Sequence, residues 1–131
     1  MRFLSIYKAA ETGVPPTPEE MARMNELVRE MTSRGVLLAT EGCLPSALGA
    51  RVRRSGEKVT VTDGPFTESK ELVAGFAILE AGSREEAIEL TRRFLDVAGD
   101  GECEIRQLFE AGDFGGCAGV EHAGAELAAQ A

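Results

Sequence analysis

The sequence has few of the residues that metal binding and nucleophilic catalysis use, namely one histidine and three cysteines in 131 residues. Cys43, Cys103 and Cys117 lie 60 and 14 residues apart, which excludes a C-x-x-C redox or zinc motif, and their odd number excludes a fully paired disulfide framework. His122 lies in an Ala/Gly-rich segment, so a catalytic triad or a multi-histidine metal site would need poorly anchored chain. We therefore expect reduced thiols, no metal and no cofactor.

Basic residues are also scarce, since 14 Lys and Arg stand against 22 Asp and Glu, for a net charge of -8. Such a chain repels a phosphate backbone, so we expect no direct contact with nucleic acid. No apolar run approaches the roughly 20 residues of a membrane span, and the first residues lack the apolar stretch and cleavage site of a signal peptide. We expect no membrane partner and a cytoplasmic location.

Apolar residues supply 44% of the chain, enough for one core, and their spacing predicts six strands and two helices. Thr17 and Ser83 have the character of helix N-caps, because each is followed three residues later by a glutamate. The predicted strands are Arg2–Lys8, Val36–Thr40, Ala50–Arg54, Lys58–Thr62, Leu72–Glu80 and Cys103–Glu110. One helix runs from Pro18 to near Arg34, and the other follows Ser83 and ends before Gly99.

The order of these elements is the split βαβ pattern of a ferredoxin-like α+β sandwich with an inserted β-hairpin. The predicted domain covers residues 1–115, and residues 116–131 form an Ala/Gly-rich C-terminal tail with little side-chain volume for a core. Two helices on one face of a four-stranded sheet leave the other face to be covered. We therefore expect a homodimer, with a small-molecule pocket in the clefts between the sheet, the hairpin and the partner.

The bend Asp63–Glu71 concentrates ionisable residues between two predicted strands. Asp63, Gly64 and Pro65 are residue types of a tight turn, because Asp accepts local hydrogen bonds, Gly permits unusual torsions and Pro restricts φ. The alternative is that Asp63 lies in a pocket wall and acts as an acid or base. The two interpretations are compatible.

Other polar and aromatic residues have similar alternatives. Glu68 and Lys70 are typical solvent-facing ion partners, although Lys70 could instead hold an anionic ligand, with Glu68 paired to it. Tyr7, the only tyrosine, is either a half-buried strand aromatic or a phenol offered to the pocket. The candidate ligand-binding set is Tyr7, Glu41, Gly64, Pro65, Phe66, Glu68 and Lys70, with Asp63 as the candidate catalytic residue.

Four stretches carry a family resemblance: VTDGPFTESKELVAGFAILEA at residues 61–81, GVLLATEGCLPS at 35–46, GARVR at 49–53 and EIRQLFEAGDFG at 104–115. Through them the chain resembles the YCII-related family and, in the first stretch, its DGPF-domain branch. The resemblance implies a ferredoxin-like dimeric α+β barrel, in agreement with the order of elements. For the wider family an aspartate and a histidine have been suggested as the site. Asp63 matches the aspartate, whereas His122 lies outside the matching region.

Two functional hypotheses follow. In the first, a homodimer binds a small organic molecule near the bend, and the candidate chemistry is cofactor-independent proton transfer or elimination, with Asp63 as acid or base. In the second, the chain is a non-enzymatic protein-interaction module. The resemblance implies this alternative, because the DGPF branch is linked with sigma factors of the extracytoplasmic-function type.

Overall fold

The computed structural model describes residues 1–113, which form an antiparallel sheet, two helices and a separate hairpin. The elements in chain order are β1 (Arg2–Ala9), α1 (Pro18–Ser33), β2 (Leu37–Gly42), a short 3-10 turn (Ser46–Leu48), β3 (Ala50–Ser55), β4 (Lys58–Asp63), β5 (Leu72–Glu80), α2 (Arg84–Ala98) and β6 (Glu102–Gln107). The main sheet has the order β2-β5-β1-β6, with every neighbouring pair antiparallel. This is the predicted ferredoxin-like arrangement, and the hairpin β3–β4 is inserted between β2 and β5.

Both helices begin at the predicted caps. The Thr17 hydroxyl accepts a hydrogen bond from the Glu20 N–H at 3.1 Å, and the Ser83 hydroxyl accepts one from Glu86 at 3.1 Å. Each bond satisfies a backbone donor that has no partner within its helix. Gly35 follows α1 with a φ of +74°, a conformation that L side chains rarely adopt. The sequence pattern therefore predicts the boundaries of α1 to within about a residue.

Alternation along the strands gives the main sheet two different faces. The helix face carries Phe3, Ser5 and Tyr7 of β1 with their β5 partners Leu79, Ala77 and Gly75, and the outer face carries Leu4, Ile6, Ile78 and Phe76. The core lies between the helix face and the two helices, and consists of Phe3, Leu27, Met31, Leu37, Leu79, Ala81, Ala87 and Leu90. An ion pair between Arg93 and Glu30, 2.6 Å apart, links α2 to α1 at the surface.

Apart from β5, each strand differs from the prediction by one to three residues at one end or both, and β2 and β6 differ most. β6 ends at Gln107 rather than Glu110: its ladder with β1 stops at the pair Phe3–Gln107, and one further hydrogen bond joins the Leu108 N–H to the Arg2 carbonyl oxygen at 2.9 Å. The Glu110 N–H instead donates to the Asp113 carboxylate at 2.6 Å. β2 begins one residue later than predicted and continues to Gly42, paired with Gly75.

Part of the predicted organisation lies outside the described residues. This holds for the tail of residues 116–131, including Cys117 and His122, and for the last two residues of the predicted domain. Within residues 1–113, neither helix is long and apolar enough to cross a membrane.

Phe3 tests the core, because it is 2% exposed and belongs to the buried cluster on the helix face. We expect Phe3→Ala to lower the free energy of unfolding by about 3–5 kcal/mol, through lost apolar burial and the cavity left behind. Val14→Ala is the control, since Val14 is 77% exposed and its truncation should change stability by less than about 0.5 kcal/mol. Urea titration measures both. Equal losses in the two variants would contradict this description of the core.

Candidate functional site

A cavity of about 560 Å³ lies between the main sheet and the helices. We call it the helix–sheet cavity. Its helix walls come from Met21, Met24, Asn25 and Val28 of α1 and from Phe94, Val97 and Ala98 of α2, and its sheet wall includes Tyr7, Thr40, Ala74, Gly75 and Ala77. Both the volume and the mainly apolar lining are typical of small-molecule sites.

The cavity exists because the sheet carries small residues at this position. Gly42 of β2 pairs with Gly75 of β5, and Ala74 and Ala77 complete this part of the wall. Gly75 cannot be larger without a shift in the backbone, since a Cβ there would lie 2.8 Å from the Glu41 carbonyl oxygen. Further along the sheet, Leu37 and Leu79 belong to the buried core and also line the cavity.

Tyr7 is held firmly at the cavity wall. Its hydroxyl donates to the Asp100 carbonyl oxygen at 2.9 Å, and its ring meets Phe94 edge to face, with centroids 5.2 Å apart. A Cβ on Gly101 would lie 2.5 Å from the Tyr7 ring, so a glycine is needed beside it. Burial raises the pKa of the Tyr7 phenol, and the nearby Cys103, Asp100 and Glu71 raise it further.

Several other polar side chains of the wall are already bonded within the protein. The Thr40 hydroxyl donates to the Phe76 carbonyl at 3.0 Å, and the Thr91 hydroxyl donates to the Ala87 carbonyl at 2.9 Å. Ser5 is hydrogen-bonded to the Cys103 thiol, whose pKa burial raises despite that bond. Because these side chains already have hydrogen-bond partners within the protein, this part of the wall is effectively apolar.

Glu20 and Asn25 are the polar side chains of the wall that remain available to a ligand. Both project from the first turns of α1 and are exposed. Within residues 1–113, neither the Glu20 carboxylate nor the Asn25 amide has a hydrogen-bond or ion-pair partner. The cavity therefore combines an apolar interior with one carboxylate and one amide.

Glu41, a predicted site residue, borders the same cavity with Phe76. Phe76 pairs with Ile6 on one side and with Glu41 on the other. Because Ile6 belongs to the outer face of the sheet, the side chains of Phe76 and Glu41 lie on that face as well. We infer that they contribute main chain to the cavity wall.

The predicted bend instead adjoins a smaller space of about 330 Å³, which we call the bend cavity. Its walls are formed by Glu11, Leu44, Pro45, Ser46, Leu48, Gly49, Ala50, Arg51, Phe66, Leu72 and Val73. Among the predicted ligand-binding residues, Phe66 lies in this wall. Asp63 ends β4 as an exposed residue and lines neither cavity. Neither cavity is lined by Gly64, Pro65, Glu68 or Lys70.

Ser46 holds the bend in place. The Glu11 carboxylate accepts hydrogen bonds from the Ser46 N–H at 2.7 Å and from its hydroxyl at 2.8 Å, and the Ser46 hydroxyl in turn accepts the Phe66 N–H at 3.3 Å. The Gly64 N–H donates to the Gly49 carbonyl at 3.0 Å. The bend is therefore clamped onto the loop before β3. Gly64 is needed there for its close approach to Ser46 and not, as the turn interpretation supposed, for an unusual torsion.

Arg51 also contacts the bend. Its guanidinium lies 3.8 Å from the centre of the Phe66 ring, pairs with Glu68 and donates to the Ser69 hydroxyl at 3.2 Å. The hydrogen bond from Arg51 lowers the pKa of Glu68. Glu68 is thus an ion partner as predicted, but for Arg51 rather than Lys70.

Sequence reasoning missed most of the residues that build these two cavities. Apolar residues at the spacing of Met21 and Met24 are typical of a helix face that packs on a core, yet both line the helix–sheet cavity and Met21 is 47% exposed. Glu11 and Ser46 gave no local signal, because they lie 35 residues apart. Over residues 1–113, no three His, Cys, Asp or Glu side chains are grouped so that they could hold a metal ion.

The comparisons with known proteins agree with this architecture. A protein of Rhizobium meliloti, itself described as uncharacterised, is 29% identical over 89 residues, which are 67% of this chain and 72% of the relative. The 5-chloro-2-hydroxyhydroquinone dehydrochlorinase of Burkholderia phenoliruptrix, solved in complex with 2,5-dihydroxybenzoquinone, has a similar fold. Its TM-score is 0.52 at 14% identity, over 85% of this chain and 96% of that one.

The fold thus defines a ferredoxin-like α+β protein. The family model of the YCII-related domain matches residues 1–111, and the chain belongs to that family. Assignment to its DGPF branch stays a prediction.

Gly64 tests the clamp, because a Cβ at this position would lie 1.7 Å from the Ser46 carbonyl oxygen. We expect Gly64→Ala to lower the free energy of unfolding by about 2 kcal/mol or more, since the bend must move away from the loop. Gly49→Ala is a matched control, as its Cβ would meet the same oxygen at an ordinary 3.5 Å. Thermal and urea unfolding measure both. If the two variants were equally stable, the clamp would have no energetic importance.

Tyr7 can be titrated without interference, because the chain has one tyrosine and no tryptophan. We expect the tyrosinate absorbance of the folded protein to appear with a midpoint above the ordinary pKa of 10.0, and to return to it in denaturant. A pKa raised by folding means that the associated stability is present below pH 10.0 and is lost as the pH rises through the folded value. A folded midpoint at or below 10.0 would contradict the buried, bonded phenol.

Proposed function

We propose that this protein binds a small, planar and largely apolar organic molecule, of the hydroxylated aromatic or quinone class, in the helix–sheet cavity. The observation that carries the proposal is the cavity itself: about 560 Å³, lined by thioether, aromatic and aliphatic side chains. Methionine sulfur and aromatic edges make favourable contacts with a flat ring, and their contact surface adapts to its shape. The dehydrochlorinase that shares the fold holds a dihydroxybenzoquinone, which supports the ligand class.

The polar groups of the cavity would orient such a ring. The Glu20 carboxylate can accept a hydrogen bond from a ring hydroxyl, and the Asn25 amide can donate to a ring oxygen. The Tyr7 phenol donates its proton to the Asp100 carbonyl, so toward the cavity it offers an acceptor oxygen. A hydroxylated ring therefore finds partners at its polar edge and apolar contacts over its faces.

The candidate chemistry is cofactor-independent proton transfer or elimination. Glu20 is the proposed proton acceptor, because its carboxylate lies at the cavity without a partner among residues 1–113. Asp63, the candidate from the sequence, lies outside both cavities at the end of β4. The proposal therefore moves the acid or base role from the bend to α1.

We also propose that two copies associate through the outer face of the main sheet. Leu4, Ile6, Phe76 and Ile78 make this face apolar, and the helices of residues 1–113 lie on the opposite one. Burying an apolar sheet face against a second copy is favourable, and a two-fold axis makes such an interface self-complementary.

Ligand binding is tested by thermal unfolding with a panel of hydroxylated aromatics and quinones that includes 2,5-dihydroxybenzoquinone. A ligand at 100 times its dissociation constant adds about 2.7 kcal/mol, which raises the melting temperature by several degrees. We expect Ala77→Phe to abolish the shift, because Ala77 lines the cavity and the new ring would occupy it; the melting temperature of the unliganded variant is measured alongside.

Ala22→Phe is the matched control, since Ala22 lies on α1 as an exposed residue that does not line the cavity. It should bind ligands as the unsubstituted protein does. Equal binding by Ala77→Phe would place the ligand elsewhere. If no compound bound to the unsubstituted protein, the alternative of a protein-interaction module linked to sigma factors would replace this proposal.

A further inference from the structure

The hairpin β3–β4 carries three exposed valines close together. It pairs with itself and with no strand of the main sheet. Val52 lies opposite Val61, and Val59 lies two residues from Val61, so the three share one face. Val52 is 70% exposed, Val61 63% and Val59 58%. We call this the valine face.

An isolated two-stranded hairpin is marginally stable in water, and one with an exposed apolar face invites association. Residues 1–113 of the same chain do not cover the valine face, as the exposures demonstrate. The opposite face of the hairpin is polar and carries Arg51, Arg53, Lys58, Thr60 and Thr62, whereas Arg54 and Asp63 lie at the two ends of the valine face. The hairpin is thus amphipathic, with one polar side and one side that is apolar in its middle.

The charge of the hairpin differs in sign from that of the rest of the chain. Residues 50–63 contain four basic and two acidic residues, whereas the remaining residues contain ten basic and twenty acidic. The acidic parts of two copies, outside their hairpins, repel each other, but the cationic hairpin of one copy is attracted to the acidic part of the other. This complementarity favours a second copy as the partner.

We infer that the hairpin is an arm that reaches across to a second copy of this chain and lays its valine face on the outer face of that copy's main sheet. The outer face offers Leu4, Ile6, Phe76 and Ile78 as the apolar counterpart. In a two-fold dimer each copy gives one arm and receives one, which closes the assembly. The inference rests on the proposed association and adds to it which element makes the contact.

The matched pair Val61→Glu and Thr60→Glu tests the arm. The two positions are adjacent, exposed and on opposite faces of the hairpin, so both variants add the same charge but Val61→Glu alone would bury it. We expect Val61→Glu to raise the dimer dissociation constant in analytical ultracentrifugation by about a hundredfold or more. Thr60→Glu should change it by less than about threefold. Val61→Ile should preserve the dimer, which separates loss of the contact from loss of the hairpin's fold.

A photo-cross-linking residue at position 61, in a mixture of light and heavy isotope-labelled chains, identifies what the arm touches. The inference predicts mixed-isotope cross-links to peptides of β1 or β5. Cross-links confined to one chain, including any to its own residues 114–131, would overturn it. A dimer that tolerates Val61→Glu would refute the arm while leaving the association intact, whereas a monomer at all concentrations would refute both. Ligand binding in the cavity is measured separately and decides neither.

Discussion

The small residues of β2 and β5 are the constraint on which the candidate site depends. Gly42 and Gly75 bring the two strands so close that a side chain at Gly75 would meet the Glu41 backbone at 2.8 Å. Together with Ala74 and Ala77, they leave a space that the helices do not fill. Along the same strands, Leu37 and Leu79 join the buried core and form a further part of the cavity wall. The cavity thus opens beside the core of the fold.

The bend has a structural role that complements this hollow. Ser46 bonds both to the Phe66 N–H of the bend and to the Glu11 carboxylate. The absence of a side chain at Gly64 permits the close contact between the bend and the Ser46 backbone. These bonds join the loops that follow β1, β2 and β4. Within the DGPF stretch, Gly64 and Phe66 therefore act as a clamp between loops.

The sequence predicted the fold well, because its signals are local. The caps Thr17 and Ser83 and the alternation in β1 and β5 require knowledge of only a few neighbouring residues. The end of β6 was misplaced, since it depends on where its pairing with the distant strand β1 stops. The inserted hairpin was predicted to within one residue at the end of each strand, but its separation from the main sheet could not be seen in its pattern.

The site was harder to predict, because it depends on which face of a strand a residue occupies and on contacts between distant segments. Tyr7 and Glu41 were both named, yet Tyr7 lies on the helix face at the cavity, whereas the register puts Glu41 on the outer face. Ionisable residues at the bend suggested chemistry there. The helix α1, whose methionines have ordinary core spacing, gave no sign that a cavity lay beside it.

The account's central claim is that a ligand occupies the helix–sheet cavity, and the methionines report on this directly. Of the four in the chain, Met21, Met24 and Met31 line the cavity and Met1 does not. The measurement is a methyl NMR titration of protein labelled at the methionine methyl carbons. Addition of 2,5-dihydroxybenzoquinone should shift the methyl signals of Met21, Met24 and Met31 and leave that of Met1 in place. Binding that left all three cavity signals unmoved would contradict the claim.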